Sequence, residues 1–146
     1  MTYNTTFSLV DRIRRKINDT SSTPTYDDFD IIDYLTDAIE EVGTETGTEY
    51  TIDTDGTISP SVTLPVALLF VLKTSINILT KEAMEAAQQA IKVKSGANSV
   101  DYTKRASEKR ELLSLYKIQY NNQMVKVKSG LPATKSLVTS RFMIYD

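Results

Sequence analysis

From Pro65 to about Ile91, apolar residues return at steps of three and four: Leu68, Leu69, Leu72, Ile76, Leu79, Ala83, Ala87 and Ala90. That spacing predicts one long helix with a continuous apolar face. Its far half, Glu85-Ala86-Ala87-Gln88-Gln89-Ala90, consists of strong helix formers. A helix of this length needs shorter elements laid along it to cover the face, which makes it the centre of a bundle. The uninterrupted apolar run within it, Leu64 to Leu72, ends at Lys73 after nine residues. A bilayer needs about 20, and the N-terminus lacks the basic-then-apolar layout of a signal peptide. A soluble protein, cytoplasmic when made, is expected.

Three further helices fit around this one. Thr6 can cap a first helix whose face reads Phe7, Val10, Ile13 or Arg14, and Ile17. The polar stretch Asp19 to Pro24 is a loop. Thr25-Tyr26-Asp27-Asp28 has the form of a capping box, with acids in the first turn where the helix dipole favours them. The helix it opens shows Phe29, Ile32, Leu35, Ile39 and Val42 on one stripe and ends at Gly43 or Gly47. A last helix begins near Asp101, with Tyr102, Ala106, Leu113, Tyr116 and Tyr120 on one face and Leu112 and Leu115 beside them. Within it, Asp101 and Arg105 stand one turn apart and can pair, as can Lys104 and Glu108.

Between the second and third helices, Asp55-Gly56 signals a two-residue hairpin loop, with Tyr50, Ile52 and Ile58 alternating around it. Pro60 and Pro65 confine the ribbon, residues 48–63, to an edge or an exposed arm. The pentapeptide KVKSG occurs at 92–96 and again at 126–130, a 34-residue spacing that matches one helical-repeat period. The residues flanking the two copies do not match, so a solenoid is excluded. Each copy falls where a helical pattern runs out, with lysines for the negative end of the dipole and a glycine for the cap, which makes it a repeated stop signal. After Leu131-Pro132 the chain reads as an extended, half-apolar tail, 131–146. The fold class expected is therefore mainly α: a bundle of three to four helices over residues 1–130, with a hairpin arm and an extended C-terminal tail.

The residue inventory narrows the chemistry. The chain contains neither cysteine nor histidine, which removes disulfides, Ser–His and Cys–His nucleophiles, and the commonest zinc ligands. Asp30, Asp33 and Asp37 follow helical spacing, as residues of a solvated face do. Asp53-Thr54-Asp55-Gly56 misplaces the glycine of a calcium loop, and Leu64 stands where the closing Glu belongs. No glycine-rich phosphate loop is present. No enzyme, metal or cofactor is expected.

Charge is unevenly distributed. Residues 17–72 hold twelve acids and no Lys or Arg, whereas residues 73–146 carry a net +7. One end of the folded unit acidic and the other basic would suit head-to-tail association; acidic and basic helices packed side by side within one subunit would give the same pattern. Lys104, Arg105, Lys109 and Arg110 could touch nucleic acid, but Glu108 and Glu111 alternate with them as on a plain solvated face.

Three stretches taken together, TYDDFDIIDYLTDAIEEVGTETG (25–47), LPVALLFVLKTSINILTKEA (64–83) and SVDYTKRASEKRELLSLYKIQY (99–120), resemble the head-completion adaptors of long-tailed bacteriophages, also called head–tail connector proteins. The resemblance covers roughly residues 7–124. It implies a small helical bundle whose subunits form a homo-oligomeric ring, usually twelve-fold, beneath the portal protein. Genome DNA would pass through the channel without sequence-specific binding, and the next neck or tail protein would dock on the lower face. The protein would reside in the virion neck after assembly in the host cytoplasm, with no membrane contact. Asp101 and Arg105 match the family's helix-opening pattern, with a structural role. The C-terminal segment that grips the portal in the family falls on residues 125–146, which puts Lys126, Lys128, Lys135, Leu137, Arg141, Phe142, Ile144 and Tyr145 in that contact. The hairpin residues Tyr50, Ile52, Asp55, Gly56 and Ile58 would meet a neighbouring subunit or neck protein. The extended tail and the Asp55-Gly56 hairpin depart from the family pattern. A DNA-binding helical module and a helical regulator that dimerises through the tail are the alternatives.

Overall fold

Residues 3–92 and 97–129, described in a computed structural model without the side chains of 92 and 97–102, form four helices and one small hairpin. In order they are α1 (Thr6–Lys16), α2 (Asp28–Thr46), β1 (Thr51–Ile52), β2 (Ile58–Ser59), α3 (Leu64–Lys92) and α4 (Ala97–Ser129). The mainly helical bundle expected from the sequence is the fold observed. Helix α3, 29 residues long, runs through its centre, and α4, 33 residues long, lies antiparallel along it. At 1.5 Å per residue the two form a hairpin about 45–50 Å long. The antiparallel register is visible in its cross-links: Lys109 reaches Glu82 at 3.0 Å, and Gln123 donates to the Pro65 carbonyl at 3.1 Å. By length and composition α3 would qualify to cross a bilayer, yet over half of its most apolar window is buried by the rest of the chain.

The helix starts shift slightly from the sequence reading, for reasons of capping. Thr5, in extended conformation, caps α1 by accepting from the Ser8 N–H, and Thr6 is the first helical residue. The capping box of α2 is built by Asp27 and Asp30, each side chain accepting from the other's backbone. Gly47, at φ +76°, closes α2 in the left-handed conformation that glycine adopts without strain. Helix α4 begins at Ala97, ahead of Asp101.

The loop between α1 and α2 is organised by one nearly buried carboxylate. Asp19 accepts from the backbone N–H groups of Thr25 (2.8 Å) and Tyr26 (3.0 Å) and from the Arg14 guanidinium (3.1 Å). The same guanidinium donates to the Tyr26 carbonyl and to Asp28. Arg14 therefore sits on no apolar face; it ties α1 to the start of α2.

The buried faces correct the expected stripes at their ends. On α1 the core positions are Thr6, Leu9, Val10 and Ile13, followed by Ile17, while Phe7 is exposed. On α2 they are Ile31, Leu35, Ala38, Ile39, Val42 and Gly43, and Phe29 is 71% exposed. Leu72 and Leu79 of α3 are buried as expected, joined by Leu69, Phe70, Val71 and Ile78. On α4, Ala106, Leu113, Tyr116, Tyr120 and Met124 face inward, and Leu115 is exposed.

The hairpin differs most from expectation. Thr51 pairs with Ser59 and Ile52 with Ile58, so the loop is longer than two residues. The Gly56 N–H bonds to the Asp53 carbonyl and the Asp53 N–H to the Thr57 carbonyl, a turn followed by a left-handed glycine at φ +82°. The ribbon is no free arm. Residues 4–6 run beside it, with Thr6 N–H on the Gly56 carbonyl, Ile58 N–H on the Asn4 carbonyl and Val62 N–H on the Asn4 side chain. Ile58 is buried in the core, and Tyr50 meets Phe70 edge-on at 5.2 Å between ring centroids.

A Cβ on Gly56 would stand 2.7 Å from the Thr6 hydroxyl, in a backbone conformation that side chains resist. Gly56→Ala should therefore destabilise the fold by about 1–3 kcal/mol. Urea denaturation checks this, and an unchanged midpoint would show that the hairpin does not latch the N-terminus.

Candidate interaction surface

The predicted contact residues fall into three groups. Lys126 and Lys128 occupy the exposed last turn of α4, where their charge suits the helix's negative end. The Asp101 side chain, Gly96 and Gly130 of the two KVKSG copies, and the whole tail with Lys135, Leu137, Arg141, Phe142, Ile144 and Tyr145 lie outside the described residues. Arg105 is exposed on α4. Of the hairpin set, Asp55 is exposed and Tyr50 and Ile52 are half-buried, whereas Gly56 and Ile58 are buried within this chain. Those last two positions are corrected: a neighbour cannot reach them while the hairpin is docked.

What the bundle leaves uncovered is more informative. Helix α4 is apolar on two opposite sides. Leu113, Tyr116, Tyr120 and Met124 pack inward, while Leu115, Ile118 and Val125, at spacings of three and seven, form an exposed stripe about half a turn away. On α3, Met84 and Ile91 are 59% and 69% exposed. Met84 borders a groove of about 340 Å³ that Thr80, Ala83, Ala87, Arg110 and Leu113 also line. On the other side of the α3–α4 hairpin, Tyr26 of the α1–α2 loop, Glu82, Glu85, Arg105 and Lys109 enclose a more polar cleft of about 510 Å³.

Charge is only partly neutralised inside the subunit. Lys73 of α3 pairs with Glu41 (3.3 Å) and lies within 3.8 Å of Glu45, and Asn77 adds a hydrogen bond to Glu41. The acids Asp30, Asp33, Asp37 and Glu40 remain on the exposed face of α2. Across α3, Lys109 of α4 is held by Glu82, and Lys104, Arg110 and Lys117 are exposed. The subunit thus presents an acidic flank on α2 and a predominantly basic flank on α4. Burial pushes the hydroxyl of Tyr120 well above the usual tyrosine range, reinforced by Glu45 and Glu41; Lys73 covers its ring at 5.2 Å. Tyr26 is raised by burial and then by Glu82. Both rings are neutral packing elements at ordinary pH.

Among the described residues no group of three His, Cys, Asp or Glu side chains is placed to hold a metal ion. No protein-family model matches the chain, and neither a curated protein nor a solved structure shows a match to it.

The sequence reading placed Phe29 and Leu115 on or beside buried faces and singled out none of Met84, Ile91, Ile118 or Val125 as surface. A signal for α4 was present in the pattern. Its apolar residues occupy more than one stripe, and a helix packed on one side can bury only one of them.

Proposed function

We propose that this protein is a structural subunit of a bacteriophage head–tail connector: a ring-forming adaptor between the portal and the neck or tail proteins, with genome DNA passing through the channel. The observation that carries the reading is the second apolar face of α4. A helix that keeps Leu115, Ile118 and Val125 bare opposite its packed side suits a subunit that is covered again on assembly. The helical fold, an inventory without cysteine or histidine, and the resemblance over residues 7–124 support the same reading. In this proposal the tail, 131–146, docks on the portal with Phe142 and Tyr145 as anchors, and Lys126 and Lys128 meet the same partner. An extended apolar segment of this kind binds by laying alternate side chains into a groove or along a sheet edge.

The test is co-expression with the portal protein of the same genome, followed by negative-stain electron microscopy and affinity capture. The full chain should attach to the portal as a ring, and a chain ending at Gly130 should fold but fail to attach. A full-length protein that never associates with the portal would overturn the adaptor role.

A further inference from the structure

We propose that copies of this chain dock side by side, with Phe29 of one subunit seated in the Ala83–Ala87 groove of the next. Phe29 sits on the outer side of α2, opposite its buried stripe, and the other described residues leave it largely uncovered. One turn on stands Asp33, and Asp37 and Glu40 continue the same acidic face. The groove is its chemical complement. Two alanines leave a notch in α3, Met84 and Leu113 supply apolar walls, and Arg110 stands at the α4 rim. Lys117, two turns along, faces the same side of α4. Seating the ring in the notch would remove the most exposed aromatic side chain among the described residues from water. It would also bring the acids of α2 against the basic rim.

The geometry also fixes the kind of contact. The groove residues 80, 83, 84 and 87 occupy the side of α3 opposite 82, 85, 86 and 89, which line the cleft beside Thr25 and Tyr26. Knob and notch lie on different elements, Phe29 on α2 and the groove between α3 and α4, and the contact joins two different surfaces. Such a contact repeats from copy to copy and closes into a ring or extends as a filament. The inference deepens the adaptor reading, resting on it only for closure of the ring.

The two halves can be separated by mutation. Phe29→Ser removes the knob and leaves the groove; Ala87→Glu fills the groove and leaves the knob. In sedimentation velocity the wild-type chain should form higher oligomers. Each variant alone should be monomeric, and an equimolar mixture of the two should give dimers and nothing larger. Thermal melts of the monomeric variants should match each other, because both positions are accessible. A second pair covers the charge component: Arg110→Glu should weaken association about tenfold, and Asp33→Lys in the same chain should restore it. A monomeric wild type, a variant that still assembles alone, or a mixture that stays monomeric would overturn the contact. If the wild type and both variants all form rings, only this contact fails. If the mixed dimers form but the full chain ignores the portal, only the adaptor role fails.

Discussion

Phe70→Ala should be the most damaging single truncation in the chain, costing about 3–5 kcal/mol of stability. The side chain is fully buried on the central helix, and its ring meets Tyr50 edge-on, so removing it both opens a cavity and undocks the hairpin. Leu79→Ala, also fully buried, should cost about 2–5 kcal/mol without touching the hairpin. Phe29→Ala should leave stability within about 0.5 kcal/mol of wild type, because that ring contacts water. Urea denaturation of the three variants, measured on dilute protein so that association does not contribute, checks the ranking. Equal losses at Phe70 and Phe29 would mean that α2 is rotated from the orientation described here.

Asp19→Ala is expected to rival it, at about 3–5 kcal/mol. The substitution removes the acceptor for two backbone N–H groups and takes one of three partners from the mostly buried Arg14 guanidinium, which keeps Asp28 and the Tyr26 carbonyl. Backbone N–H groups stripped of a buried acceptor cost about 1–3 kcal/mol each. Asp19→Asn keeps one acceptor oxygen and should recover part of the loss. The double variant Asp19→Ala with Arg14→Met should recover nothing, since the Thr25 and Tyr26 N–H groups still lack their acceptor. A loss below about 1 kcal/mol for Asp19→Ala would show that the loop holds without the clasp.

The elements of this fold were readable because each helix carries its own punctuation. Thr5 and Asp27 stand at the starts of α1 and α2, Gly47 at the end of α2, and lysines in the last turn of α4. Which way the helices face was less legible, and Phe29 shows why. Position 29 falls three residues before Ile32 and six before Leu35, so it joins a plausible stripe on spacing alone. The core instead takes Ile31 and Ala38, and a rotation of part of a turn decides between the two readings. Helix α3 raised the converse problem. Covered by α1, α2 and α4, it buries Phe70, Val71 and Ile78 as well as the expected stripe, and a helix buried on several sides has no single face to detect.

The hairpin was misjudged because its partner lies far away in sequence. Nothing local to Asp55-Gly56 reveals that Asn4 and Thr6 supply the hydrogen bonds that hold it. The candidate surface followed the same pattern. Bipolar charge could be counted from composition, but which acids were already spent on Lys73 and which faced outward required the packed chain.

The pairing of Asn4 and Thr6 with Gly56, Ile58 and Val62 also sets an order of events during synthesis. The first helix leaves the ribosome with Leu9, Val10 and Ile13 ready to be covered, but the ribbon that fixes its leading end is made some fifty residues later. At about 5–20 residues per second that interval is roughly 3–10 s. The long pair α3 and α4 closes from its connected end, Lys109 meeting Glu82 across 27 residues before Gln123 reaches Pro65 across 58. Helix α1 waits longest, since its Lys16 carbonyl accepts from the Tyr116 hydroxyl 100 residues on. The nascent α1 is the stretch with the longest claim on a chaperone.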